Sequence, residues 1–127
     1  MESFKQTDTT ANRIRIAMEK AGKKQADIVR ETGIDKSAMS NYLKGRYEPK
    51  QDAVYRIAKS LNVSEMWLWG YDCPMERSAE QKNNDTIADI VVRMRMDSDF
   101  MSVVEDLHSL DETKFAAVRQ MLSAFLK

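Results

Sequence analysis

The 127-residue chain has one cysteine, Cys73, and one histidine, His108. A single thiol closes no internal disulfide, and one thiol with one imidazole falls short of the four ligands of a structural zinc site, so no metal is expected. With four glycines and two prolines in all, no glycine-rich phosphate cradle of the GxGxxG or P-loop kind occurs. Aspartates and glutamates are scattered at helix starts and on polar faces, where they cap and solubilise, and His108 falls on a polar helix face. No nucleophile stands with a base and no carboxylate pair is set for a cleft, so neither a catalytic residue nor a cofactor is expected and the chain reads as non-enzymatic. Apolar runs last only a few residues, and no basic segment leads into one. That excludes a membrane span and a secretory leader and points to a soluble, cytoplasmic protein. The length suits one or two small domains.

Charge of either sign is balanced overall, but it is segregated along the chain. Residues 1–70 carry 13 Lys+Arg against 9 Asp+Glu, and residues 71–127 carry 7 against 11. The excess is densest between Lys36 and Lys59, where Lys44, Arg46, Lys50 and Arg56 face only Glu48 and Asp52. A cationic patch of this kind is the footprint of phosphate neutralisation. Surface helices carry mild excesses by chance, so the charge needs a motif beside it.

The motif lies in residues 25–45, QADIVRETGIDKSAMSNYLKG. Ile28 and Val29 mark the buried face of a short helix, Gly33 suits the left-handed corner that follows, Ile34 re-enters the core, and Asp35 can cap the next helix. Met39, Tyr42 and Leu43 then recur at helical spacing as its buried stripe. The opposite face holds Lys36, Ser37, Ser40, Asn41 and Lys44, short polar or cationic side chains of a size to enter a major groove about 12 Å wide. Around this pair the periodicity predicts a first helix from about Thr10 to Ala21 with Ile14, Ala17, Met18 and Ala21 inside. It further predicts a loop at 45–50, a fourth helix over 51–61 and a short fifth capped by Ser64. Trp67 and Trp69 read as packing residues. No segment alternates as a strand would, so the fold class is all-α.

The segment resembles the helix-turn-helix of Cro/cI-like, xenobiotic-response-element-type regulators: Gln25 opens the first helix, Ile28 precedes the usually small Val29, Gly33 makes the turn, Met39 and Tyr42 fill the recognition-helix core and Gly45 ends it. The likeness spans residues 11–71. It runs through Pro49, RIAKSLNVS at 56–64 and MWLWGYDCPMER at 66–77, which is similar to Gram-positive prophage repressors. Val29 replaces a usual alanine and Lys23 a usual apolar residue, departures that a wider helix crossing and a snorkelling lysine stem would absorb. The resemblance implies a five-helix, lambda-repressor-like DNA-binding domain and double-stranded operator DNA as partner. Gln25 would meet a phosphate; Lys36, Ser37, Ser40 and Asn41 would read base edges; Lys44, Arg46 and Tyr47 would clamp the backbone.

The expected organisation is a flexible arm at 1–9, the DNA-binding domain at 10–71, a linker at 72–84 and a helical unit at 85–127. Asp, Pro, Ser, Glu, Gln and Asn dominate the linker. In the last unit Ile87, Ile90, Val91 and Met94 mark one helix, Phe100, Val103, Val104 and Leu107 a second behind a DSDF cap, and Phe115 to Leu126 a third opening at Asp111. So small a unit buries little alone, which suggests a homodimer or higher oligomer, with docking back on the first domain as the alternative. It is also too short for the self-cleaving protease domain that many such repressors carry, which leaves release to a partner protein such as an antirepressor or to a ligand. The resulting expectation is a sequence-specific transcriptional repressor of prophage or mobile-element type, dimeric on paired half-sites. The alternative is the antitoxin of a toxin-antitoxin pair.

Overall fold

Local chemistry sets both ends of the first helices in the computed structural model, which describes residues 5–127. Helix α1 (Thr10–Ala21) starts where the Thr9 hydroxyl accepts the Asn12 N–H, and it stops at Gly22, which is left-handed with φ 66°. In α2 (Gln25–Thr32) the Asp27 carboxylate reaches back to the Lys24 N–H at 2.8 Å, and Gly33 closes the helix at φ 71°. Asp35 caps α3 (Lys36–Leu43) through the Ser37 N–H at 3.1 Å. Asn62 ends α4 (Gln51–Leu61) at φ 57°, a conformation that asparagine tolerates better than most residues. Ser64 precedes α5 (Glu65–Leu68), although its side chain makes no capping bond.

These five helices enclose one core. Ile14, Ile28, Met39, Ile57, Leu68 and Val54 are its largest fully buried side chains, each contributing about 1.5–3 kcal/mol over an exposed position. Val29, Tyr42 and Leu43 pack on it half-buried, as the spacing predicts, whereas Ala21, expected inside, is exposed. Its place in the helix-1 pattern is taken by Arg13, which is buried. The Arg13 guanidinium donates to Asp8 at 3.0 Å and to the Trp67 and Tyr71 carbonyls at 3.2 Å, and it lies 4.7 Å from the Trp67 ring centroid. Asp8, bonded by Asn12, by the Thr9 N–H and by Arg13, has its carboxyl held below the usual aspartate value.

Two composition-based expectations are corrected here. Residues 1–4 of the expected arm lie outside the described residues, but 5–8 are fastened as a strap: Thr7 and Asp8 donate to the Gly70 carbonyl, and Asp72 donates to Lys5 at 2.7 Å. The expected linker at 72–84 is no free linker. Ser64 donates to the Met75 carbonyl at 2.8 Å, and buried Arg77 donates to Val63 at 3.1 Å and to Glu65 at 3.0 Å. From Ala79 the chain is helical, in α6 (Ala79–Met96). Ser78 and Gln81 cap each other's backbone reciprocally and set that start.

The chain divides into two units, one ending at Asn83 and one of Asn84–Lys127. Beyond α6 the second holds α7 (Ser98–Ser109), capped by Asp97, and α8 (Glu112–Phe125), capped by Asp111. No residue of α7 or α8 is buried. The fold is all-α; among the described residues there is no strand, only the isolated bridges Gln6–Tyr71 and Val63–Glu76. None of the described helices is long and apolar enough to cross a membrane.

Candidate nucleic-acid interface

Helix α3 turns 100° per residue, so Lys36, Ser37, Ser40, Asn41 and Lys44 share an arc of about 140° opposite buried Met39. Lys36, Ser37 and Lys44 are exposed and Ser40 and Asn41 half-buried. Past the helix, Gly45 at φ 72° turns the chain and leaves Arg46 and Tyr47 exposed, Tyr47 to 64%. Gln25, half-buried, opens α2. Among the described residues none of these eight side chains has an internal hydrogen-bond or ion-pair partner. Their donors and acceptors are unspent.

The surface groups them in hollows rather than on one plane. Gln25 and Lys36 line a depression of about 350 Å³ together with Val29 and Arg30. Asn41, Arg46 and Tyr47 line a broader one of about 980 Å³, whose far wall is α4. Lys44 and Tyr47 border a third, about 280 Å³, at the amino end of α1. Ser37 and Ser40 line none of the three. Lys50 and Arg56 stand on the α4 wall beside Asn41, and Arg30 stands beside Gln25. The sequence signal for Lys50 and Arg56 was the charge count, which could not say which cations share a hollow with α3.

Ion pairs on the remaining surfaces hold this frame. Lys23 donates to Glu31 at 2.6 Å and to the Ser60 carbonyl at 2.7 Å, and the Ser60 hydroxyl donates to Glu31 at 3.0 Å. The lysine that replaces an apolar residue thus ties the start of α2 and its end to α4. Lys23, then Ser60, hold the Glu31 carboxyl below the usual glutamate range. The Lys24 N–H and then Arg30 do the same for Asp27. The guanidinium of Arg15 donates to the Leu43 carbonyl and so holds the carboxyl end of α3 to α1. Burial pushes the Cys73 thiol up, away from the reactive thiolate. Among the described residues no three His, Cys, Asp or Glu side chains gather as a metal site requires.

Residues 11–69 match the helix-turn-helix domain family. No curated protein matches the chain. Among solved structures, the P22 c2 repressor protein, determined in complex with synthetic operator 9T in the presence of Tl+, is 26% identical, with a TM-score of 0.46, over 49% of this chain and 94% of that one. A transcriptional regulator from Listeria innocua is 14% identical, with a TM-score of 0.45, over 97% of this chain and 94% of that one.

Proposed function

We propose that this chain, whose residues 11–69 match the helix-turn-helix domain family, binds DNA to regulate transcription, and that it does so as a sequence-specific repressor of prophage or mobile-element type, two copies occupying paired half-sites. The observation that carries the reading is the set of eight polar side chains around α3, five exposed and three half-buried, and none spent on the protein itself among the described residues. In the groove, Asn41 would bond adenine in a bidentate way and Lys36 would reach guanine acceptors, with Ser37 and Ser40 beside them. Gln25, at the positive end of the α2 dipole, would take a phosphate; Lys44, Arg46 and Tyr47 would hold the backbone and fix the register. Occupying a promoter would then exclude polymerase.

Selection from random duplex DNA, followed by affinities across single-base variants of the selected site, tests this. Asn41→Ala should cost about 1–3 kcal/mol on the cognate site and relax preference at one base pair. Lys44→Ala should weaken every sequence alike and flatten the salt dependence by about one unit. Specific binding untouched by Asn41→Ala would refute the assignment of this face. The exposed apolar side chains of the second unit favour one other reading, an antitoxin that represses its own operon and covers a toxin with its remaining helices. That reading requires a stoichiometric complex with a second, small protein.

A further inference from the structure

We propose that α8 pairs antiparallel with the α8 of a second copy through its apolar face, and that α7 and α8 hold their helical form only when so paired. The proposal rests on the two-copy reading above and gives it a surface. Phe125 is 80%, Leu126 84% and Met121 63% exposed, with Phe115 and Leu122 close to half. At about 200 Å² for each such side chain fully exposed, α8 offers about 600 Å² of apolar surface. That reaches the upper end of the largest patch on a typical monomer, about 300–600 Å², and approaches the roughly 800 Å² that each partner gives to a standard interface.

Packing inside the unit goes only part of the way: Phe100, Val104, Leu107 and Val118 are half-buried. Helices α7 and α8 have 12 and 14 residues and bury none of them. Isolated helices below about 12–15 residues are marginal in water, so packing has to supply what propensity does not.

The order of residues along the face selects a second copy as the occupant. Phe115, Val118, Leu122 and Phe125 are spaced three, four and three residues apart, with an aromatic at each end and an aliphatic pair between. That series reads the same in both directions. Run antiparallel, Phe115 meets Phe125 of the second copy and Val118 meets Leu122, the self-complementarity that a two-fold interface requires. Arg119 flanks the stripe near its middle, so the two Arg119 positions fall on the same edge beside the axis.

Sedimentation and far-UV circular dichroism on the full chain without DNA, followed by cross-linking, provide the test. The wild-type chain should associate, with helical signal rising as concentration rises. Leu122→Asp should weaken association at least about 100-fold by placing a carboxylate in the seam. It should also remove up to about three-tenths of the helical signal, the share of α7 and α8, while the Trp67-containing unit still unfolds cooperatively. In a Cys73→Ser background, Arg119→Cys should be joined to its second copy by a short bis-maleimide. A Leu122→Asp monomer that keeps full helicity overturns the coupling, and an associated chain that Arg119→Cys fails to cross-link overturns the antiparallel pairing. Association indifferent to Leu122→Asp moves the interface off α8 and leaves the two-copy reading standing; a chain monomeric at every concentration overturns both.

Discussion

Replacing Gly70 by alanine offers a sharp test of how the first unit is closed. The backbone at Gly70 has φ 98°, and a Cβ there would drive into the Asp8 carbonyl group, 2.8 Å from its carbon. One resolution keeps the strap and accepts the positive φ, which costs an alanine about 1–2 kcal/mol before the collision is relieved. The other releases the strap. It gives up the Thr7 and Asp8 bonds to Gly70, the Asp72 bond to Lys5 and the Gln6 side-chain bond to Trp69, each about 0.5–1.5 kcal/mol, partly offset by the backbone entropy regained. Release also takes Asp8 from Arg13, whose side chain is only 11% exposed. Uncompensating a buried charge costs about 3–5 kcal/mol, discounted here because Asp8 is itself partly in water. Either way Gly70→Ala should lose about 2–4 kcal/mol, read by urea unfolding followed through Trp67 and Trp69. In a chain lacking residues 1–8 the same substitution should cost only the φ strain, about 1–2 kcal/mol. A loss below about 0.5 kcal/mol in the full chain, or an equal loss in the shortened one, would refute the reasoning.

Met39 is fully buried beneath the outward face of α3, so Met39→Ala should lower stability by about 2–5 kcal/mol and weaken DNA binding only as far as it unfolds the protein; a thermally unaltered variant that no longer binds would move Met39 into the groove. Asp8, Asp27 and Glu31 all have carboxyls held below their ordinary values of 3.8 and 4.5, so the stability they contribute is complete above those values and is lost as pH falls through the lower folded ones. The midpoint of thermal unfolding should therefore hold down to about pH 4.5 and then fall, and Glu31→Gln should reduce it at neutral pH while flattening the acid limb; an identical acid limb in that variant would count against the Lys23–Glu31–Ser60 tie. A truncation after Glu80 keeps Arg77 on Val63 and Glu65 and should unfold cooperatively, while binding the same site with the same base preference about 10²-fold more weakly because the two half-sites are no longer linked. Equal affinity in that truncation would place the link between copies in the first unit.

The first five helices were legible from the spacing of their apolar residues, and Gly33 and Asp35 marked the corner between α2 and α3. Arg13 was not, because a charged residue reads as solvated until the strap, Trp67 and Tyr71 supply its partners from across the chain. Composition misleads over the segment 72–84 for a related reason. Its composition is the same whether it floats or is pinned, and what pins it are backbone bonds and Arg77, which carry no periodicity. One sequence signal does mark the helix there: Ser78-Ala-Glu-Gln81 is a capping box, and it outweighs the modest helix cost of Asn83 and Asn84, which both lie inside α6. For the interface, the spacing identified the outward arc of α3, but which cations share a hollow with Asn41 depends on how α4 packs, and that is a tertiary fact.

The strap has a topological consequence. With Lys5 bonded to Asp72 and Thr7 to Gly70, the amino end of the first unit lies beside the stretch that follows α5. Residues 5–72 are thus nearly a closed ring, and a short linker from the amino end to residue 72 would close it at the cost of the bonds that Met75 and Arg77 make to Ser64, Val63 and Glu65. New termini could then be opened in the exposed α3–α4 loop or at Asn62, giving circular permutants in which the same packing forms in a different chain order.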